Sequence, residues 1–598
     1  MGDAATLSPP AAPFREASLL PVDLDVERRA DGTILITSRV PLRAYEANIP
    51  AAFARRAAQS GDKPALAWRD ADGQWAFKSF AELKSEMDAA TQWLLENAPE
   101  GRPVLILAGN SPAFAVMSFA AQASGRAACP VSTTYAALGG DYGRLAHVIG
   151  KTRPGVVFAE DAAMAAGALQ TLDLGDAKIV VGDPARLAKP ATAYAELLAT
   201  APTEAVARSI AALKPQDRAA LMLTSGSTGL PKVVPITFDN LAANSAQCQQ
   251  TIGEAAGWHD VMLDWLPWHH AAGAFVLRTT LLEGGLLYID DGKPAPGLFE
   301  ASIRNLREIS VSYFNNVPLG YTMLVEAMEA DPVLRLTFFR KMRLMLYGGA
   351  GLSQAVSDRL QALAVAETGC RIMMTSGYGM TETVSAFMVI HFPTDKVGIG
   401  LPAPGTTLKL APVGDRYEVR ARGPNVMSGY LDEPEKTALA FDEEGFYRTG
   451  DLAVFHDPDD PAQGLAFAGR AAEEFKLSSG TWVYGGSLRD GLLKALSPMV
   501  TDLVLCDDGR PYLAVMAWPT AGADPAEVEA RLRRFNAAQH GGAARVRRAL
   551  LLAEPPSANA HEISDKGTIN RRAVIDRRRA EVDRLYAERP DSGVIDLG

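Results

Sequence analysis

Short apolar runs alternate along this chain with stretches whose apolar positions recur at helical spacing. VLIL at 104–107 is fully apolar and breaks off in the turn-like AGN. SPAFAVMSFAAQASG follows, and its pattern predicts a helix with Ser111 as N-cap and Pro112 in the first turn. AACPVS, GVVFAE and KIVVGD are further short apolar runs separated by helical or loop stretches. Strands that alternate with helices predict an α/β protein with mostly parallel sheets. The alternation starts at about residue 44, and the Pro/Ala-rich residues 1–43 read as a loosely packed N-terminal extension. HDPDDPAQG (456–464) is turn-rich, and AFAGRAAEEFKLSSG then leads into a smaller, more basic segment. The predicted boundary is Gly469–Arg470, giving a large domain over 44–469 and a small one over 470–598.

Composition narrows the classes. The 598 residues are 48% hydrophobic and 22% charged, enough for a large core in more than one domain. With 59 Lys+Arg against 70 Asp+Glu the net charge is −11, which argues against a nucleic-acid partner. Residues 531–589 run the other way, with fourteen Lys/Arg against seven Asp/Glu. A solvated helix face accounts for that stretch more simply than a surface that attracts an anionic nucleotide. The four cysteines include no CxxC pair, so neither a zinc knuckle nor a disulfide framework is expected, and the chain reads as cytoplasmic. The richest apolar stretch, 113–128, is too polar for a membrane span, and no cationic, apolar leader precedes it. A homodimer stays open.

Three segments share one local plan: AALML runs into TSGSTG, RLMLY into GGAGL, and RIMMT into SGYGMTE. Each pairs a buried-looking strand with a glycine-bearing polar loop, and loops at carboxyl strand ends are where open α/β sheets bind ligands. TSGSTGLPK is not a Walker A loop, because no GK follows its glycines, and the Gly-Lys-Thr at 150–152 has Leu145 where the first glycine belongs. The small residues Thr224, Ser225, Gly226, Ser227, Thr228 and Gly229 still offer backbone N–H groups and hydroxyls to an anion, with Lys232 as a cation at the rim. A Ser/Gly-rich surface loop is the plain alternative, and the fixed order with Pro231-Lys232 counts against it.

The (S/T)SG(S/T)TGxPK pattern resembles the signature of the adenylate-forming superfamily of acyl-CoA synthetases, peptide-synthetase adenylation domains and luciferases. YGMTE (378–382), YRTGD (447–451), Gly469-Arg470 and the late Lys566 resemble its further motifs, in its order. DWLPWHH, LYIDDGKPAPGL, RNLREIS, NNVP, LYGGAGL and GIGLPAPG are similar to the feruloyl-CoA synthetases, which activate hydroxycinnamic acids such as ferulate, p-coumarate and caffeate. The resemblance implies a large adenylation domain and a small, mobile C-terminal α+β domain. It implies ATP, a small aromatic carboxylic acid and coenzyme A as substrates, with Mg²⁺.

By that resemblance, Thr224 to Lys232 hold the β- and γ-phosphates, Thr228 among the catalytic groups. Thr381 meets the α-phosphate and Glu382 holds Mg²⁺. Tyr378 offers its face to adenine, and Asp451, helped by Arg470, binds the ribose. Gly349, Ala350, Gly351, Gly379 and Met380 fall on the nucleotide side. His270 stands at the gate of the acid site, which Asn316, Val317, Pro318, Gly348, Ser376 and Gly377 line; a purely structural role for the histidine is the alternative. Lys566 bridges the acid and the α-phosphate during adenylation, and Lys476 serves thioester formation after the small domain swings round. The chain departs from the family at Val233, at His269 and Ala271-Ala272-Gly273 around the gate, at Ala472 in the hinge, and in EISDKGTINRR around Lys566. Three rivals remain: a ligase for another aryl or medium-chain acid, an enzyme that loads a separate carrier protein, and a nucleotide-dependent switch without carboxylate chemistry. No GxSxG elbow occurs, which weakens a thioesterase or lipase reading.

Overall fold

The computed structural model describes residues 12–137, 142–224, 230–295, 297–479, 481–483, 485–506, 509–539, 544–557, 560, 562–563 and 569–598. Ser225, Gly226, Ser227, Thr228, Gly229 and Lys566 therefore lie outside the described residues.

The expected alternation is present. Strand Val104–Leu107 is buried on both faces, and helix Pro112–Ala123 starts where Ser111 accepts the N–H of Phe114 at 3.1 Å. The hydroxyl satisfies one of the helix's orphan donors and Pro112 presets the first turn. Val104–Leu107 pairs in parallel with Ala128–Pro130 and Val156–Ala159, and the latter with Lys178–Val181. This seven-stranded sheet is closed at the other edge by the antiparallel pair Arg218–Thr224 and Lys232–Thr237.

Two smaller sheets carry the rest of the crevice. In a five-stranded sheet, Tyr313–Asn316, Leu344–Gly348 and Met373–Gly379 run parallel, followed by antiparallel Ala386–Val389 and Leu401–Pro402. In a four-stranded sheet, Val261–Asp264, Leu286–Ile289 and Pro64–Arg69 run parallel and Trp75–Ser79 antiparallel.

The N-terminal stretch corrects the expectation of loose packing. Strands Leu24–Arg28 and Ile34–Ser38 form a hairpin, and the second pairs with Thr407–Val413. They open a six-stranded antiparallel sheet completed by Arg416–Arg422, Tyr447–Phe455 and Leu465–Arg470. Ile34 and Ile36 alternate inward and are buried, so this is a period-two strand in a short, Pro-poor window that the composition of its neighbours obscured.

After residue 470 the packing is separate. Two apolar clusters, built only from residues between Phe475 and Leu597, surround a mixed four-stranded sheet of Val500–Cys506, Leu513–Pro519, Val546–Leu551 and Val594–Asp596. Helices Gly485–Leu496, Pro525–Ala537, Arg571–Arg577 and Arg579–Tyr586 cover it. At the junction, Arg416 donates to Glu474 at 2.6 Å and also to the carbonyl of Ala468, and both charged side chains are largely buried. Among the described residues no helix is long and apolar enough to cross a membrane.

Candidate active site

The three glycine-bearing loops come from two sheets. Arg218–Thr224 and Lys232–Thr237 are paired with Thr224 opposite Lys232, so the hydroxyl-rich segment joins a hairpin rather than a strand and a helix. That arrangement was not legible, because KVVPIT carries a proline, which counts against a strand interior. The other two loops leave neighbouring parallel strands, with Gly348 opposite Gly377 and Tyr347 opposite Ser376.

A cluster of opposite charges joins the sheets. The Lys232 ammonium donates to the Tyr430 hydroxyl at 2.7 Å, and this hydroxyl donates to Glu382 Oε1 at 2.9 Å. Lys232 stands 3.8 Å from Glu382 and 3.9 Å from the centre of the Tyr430 ring. Burial pulls the Lys232 pKa down, and the Glu382 carboxylate partly restores it. The Tyr430 hydroxyl is pushed up by burial and by Glu382, so it stays protonated and can donate. Tyr430 was absent from the sequence expectations; the GYLDEPEK turn gave no local sign that its hydroxyl would reach residue 382.

The turn that presents Glu382 is fixed from several sides. A Cβ on Gly379 would meet the Ser385 carbonyl oxygen at 1.9 Å, so only glycine fits there. Met380 N–H donates to Thr383 Oγ1 at 3.0 Å, Asn425 donates to the Thr383 carbonyl at 3.0 Å, and Met427 N–H to the Glu382 carbonyl at 2.9 Å. Val384 then adopts a φ of 68°, costly for a β-branched residue and held by this bonding. Thr381 is half-buried at the start of the 3₁₀ turn Thr381–Thr383.

A second chain of contacts runs beside it. Tyr378 donates to Asp451 Oδ2 at 3.0 Å, and Arg470 Nε lies 3.3 Å from Asp451 Oδ1. Asp451 and Arg470 face each other across paired strands. Burial raises the Asp451 pKa, with Arg470 and Tyr378 opposing the rise. Arg470 itself is exposed, and Gly349, Ala350 and Gly351 are exposed after strand Leu344–Gly348.

On the other side, Asn316 ends strand Tyr313–Asn316 and is 1% exposed; its Oδ1 accepts from Trp265 Nε1 at 3.0 Å and from the Val317 N–H at 2.9 Å. Pro318 opens helix Pro318–Ala330. Asn316 Nδ2 and Ser376 Oγ are buried without a protein partner. His270 stands at the N-cap position of helix Ala271–Glu283, without a side-chain cap bond, and packs its ring 4.3 Å from that of His269. A cavity of about 360 Å³ opens beside His269, walled by Trp68, Arg69, Asn110, Trp265 and Asp290.

Of the two lysines, Lys476 is exposed on strand Phe475–Lys476. The flank of the Lys566 segment is visible at Ile563, whose carbonyl accepts from Arg144 at 3.4 Å. Arg144 and His147 share helix Gly143–Thr152, and the His147 ring bonds the Pro231 carbonyl oxygen at 3.0 Å. One helix therefore touches the flank of segment 225–229 and the flank of segment 564–568.

Known proteins share this plan. A family model described as AMP-binding enzyme matches residues 53–431, and one described as AMP-binding enzyme C-terminal domain matches residues 476–590. The chain is 31% identical over 248 residues to a feruloyl-CoA synthase of an Amycolatopsis species, covering 40% of this chain and 47% of that relative. That match spans about half of the relative's length. A long-chain-fatty-acid–CoA ligase of Mycobacterium bovis is 25% identical over 590 residues, 86% of this chain and 93% of the relative. The crystal structure of ATP-bound MatB from Rhodopseudomonas palustris superposes with a TM-score of 0.68 at 23% identity, covering 90% of this chain and 99% of that one.

Proposed function

Because this chain belongs to the AMP-binding enzyme family, we propose that it is an ATP-dependent ligase that converts a hydroxycinnamic acid to its coenzyme A thioester through an acyl-adenylate. The observation that carries the reading is the Lys232–Tyr430–Glu382 cluster beside the Tyr378–Asp451–Arg470 chain. A cation, a buried carboxylate and a ribose-sized pair of acceptors converge where three glycine-bearing strand ends meet.

In the first step a carboxylate oxygen of the acid attacks the α-phosphorus of ATP, and the bond to the β-phosphate oxygen breaks to release pyrophosphate. Two anions meet in that step, so fixed positive charge and oriented donors lower its barrier most. Thr224 to Lys232 grip the leaving phosphates, Thr381 the α-phosphate, and Lys566 bridges the two reactants. Glu382, a single buried carboxylate beside the phosphate grip, would hold Mg²⁺, which would supply positive charge to the phosphates. Tyr378, with Gly349, Ala350 and Gly351, flanks adenine, and Asp451 accepts from the ribose hydroxyls.

In the second step the thiol sulfur attacks the acyl carbon, AMP leaves, and the thiol proton passes to solvent. Lys476 serves this half-reaction after the small domain reorients. Asn316, Val317, Pro318, Gly348, Ser376 and Gly377 shape the acid site behind His270. Their lack of charge suits a flat aromatic acid, and the two unpartnered polar atoms at Asn316 and Ser376 offer it hydrogen bonds. The likeness to a feruloyl-CoA synthase supports the aryl assignment. The likeness to a long-chain-fatty-acid–CoA ligase over most of the chain favours a second reading, a ligase for an aliphatic acid.

The test is pyrophosphate release over cinnamic, benzoic and aliphatic acids, with and without coenzyme A. Strongest turnover is expected with 4-hydroxycinnamates. Equal rates with octanoate would overturn the aryl assignment and leave the ligase standing, and ADP in place of AMP would overturn both.

A further inference from the structure

The Gly-Lys-Thr at 150–152, which fails as a Walker A loop, closes helix Gly143–Thr152, whose two sides face different partners. Leu145, Val148 and Ile149 are buried in one apolar cluster with Val233, the residue after Lys232. Leu431 packs against the same cluster, and its N–H donates to the Val233 carbonyl at 2.9 Å. The apolar side thus fixes the helix in the large domain, and its polar side stands in a set register with Lys232.

On that polar side Arg144, His147 and Lys151 recur at i, i+3 and i+7, so they share one face over about 10 Å. Each meets a different part of the nucleotide site. Lys151 pairs with Glu433 at 3.3 Å, and Glu433 is one of the charges acting on Lys232. His147 bonds the Pro231 carbonyl oxygen at 3.0 Å, one residue before Lys232. Arg144 donates to the Ile563 carbonyl at 3.4 Å. The first two contacts stay within the large domain, and the third crosses to the small one. On the small-domain side Ile563 bridges antiparallel to Ile569, and Lys566 stands midway between them in the sequence. The base of this segment is firmly held. Asn570 N–H donates to the Glu562 carbonyl at 2.8 Å, and the fully buried Glu562 carboxylate accepts from Arg577 and from Arg578 at 2.6 Å each. A buried carboxylate shared by two guanidiniums is costly to release, so the Ile563 carbonyl is a fixed point of the small domain.

We propose that Arg144 is a positioning residue for the adenylation step, clamping the base of the Lys566 segment to the helix that also holds Pro231 and abuts the Lys232 cluster. This rests on the ligase reading and on Lys566 as its adenylation lysine. The lysine has to meet the acid and the α-phosphate together, and a displacement of about 1 Å at such a point is enough to slow a reaction between bound groups. The apolar clusters of the two domains share no residue, so the Arg144 contact can open when the small domain turns to present Lys476 without loosening either core.

The experiment follows both half-reactions in the wild type, in Arg144→Ala and in Arg144→Lys: acyl-AMP formation in a single turnover without coenzyme A, and thioester formation from supplied acyl-AMP. Loss of a hydrogen bond from a charged donor predicts about a tenfold lower maximal rate of acyl-AMP formation in Arg144→Ala. Half-saturating MgATP is expected to move by less than about threefold, and thioester formation to stay within about twofold. Arg144→Lys keeps a charged donor and is expected to recover part of the adenylation rate. Unchanged adenylation in Arg144→Ala overturns the proposal. So does a change confined to half-saturating MgATP, or an equal fall in both half-reactions, which is what a merely structural arginine would give. Should Arg144→Ala fail to fold, Arg144→Gln is read in the same two assays by the same criteria. Failure of the ligase reading is distinguishable, because the wild type would then form no acyl-AMP with any acid, and failure of the Lys566 assignment would leave adenylation intact in Lys566→Ala.

Discussion

Tyr430→Phe isolates one hydroxyl in the centre of the charge cluster. The ring stays, so the contact with the Lys232 ammonium at 3.9 Å from the centroid is kept. What is lost is the bond from Lys232 at 2.7 Å and the bond to Glu382 at 2.9 Å. Hydrogen bonds to charged partners are worth about 1.5–3 kcal/mol each. Lys232 and Glu382 already stand 3.8 Å apart and can close on each other, which offsets roughly one of the two. A net loss of about 2 kcal/mol corresponds to about a 30-fold fall in kcat/KM for MgATP. The assay is ATP–pyrophosphate exchange at saturating acid over a range of MgATP, with the melting temperature as a check on folding. The KM for the acid is expected to move much less. A change in the MgATP parameter of less than about threefold, under ~0.7 kcal/mol, would show that the hydroxyl does not organise the site.

Three further outcomes follow from the same contacts. Lys566→Ala should abolish adenylate formation and spare thioester synthesis from supplied acyl-AMP, while Lys476→Ala shows the reverse defect; loss of the same half-reaction in both overturns that division of labour. Arg416→Met leaves the buried Glu474 carboxylate without its partner and should cost about 3 kcal/mol in urea unfolding. The double variant with Glu474→Gln should regain part of it, and simple additivity would show the two uncoupled. The fully buried Asp442 carboxyl is pushed up by burial, but bonds from Lys409, the Phe446 N–H and Arg420 outweigh this and bring it from 3.8 to about 2. Its folded pKa is depressed, so its contribution of roughly 2 kcal/mol is present above pH ~4 and is lost as pH falls from about 4 to about 2. The stability gap between the wild type and Asp442→Asn should close over that window, and a gap that stays constant refutes the assignment.

What the sequence disclosed and withheld has a physical pattern. Strands buried on both faces, such as 104–107 and 156–159, are continuous apolar runs, and helix 112–123 advertises its start through Ser111 and Pro112. The α/β architecture was therefore readable. The 24–38 hairpin was not, because strand 24–28 is mostly exposed and the alternation in 34–38 is short. The candidate site was open to sequence reading where small residues stand in a fixed order, as in 373–382. It was not legible where a partner comes from far along the chain: Tyr430 reaches Glu382 across 48 positions, and Trp265 reaches Asn316 across 51.

The hairpin at 24–38 also bears on how the chain is made. Ile34 and Thr37 pair with Leu410 and Thr407, so strand Ile34–Ser38 finds this second neighbour only once residues 407–410 have been made. Until then Ile34–Ser38 is a raw edge able to pair with any exposed strand. Vectorial synthesis thus leaves that edge open until the 407–413 strand emerges, and a nascent chain stalled before residue 407 would be the species that holdase chaperones meet.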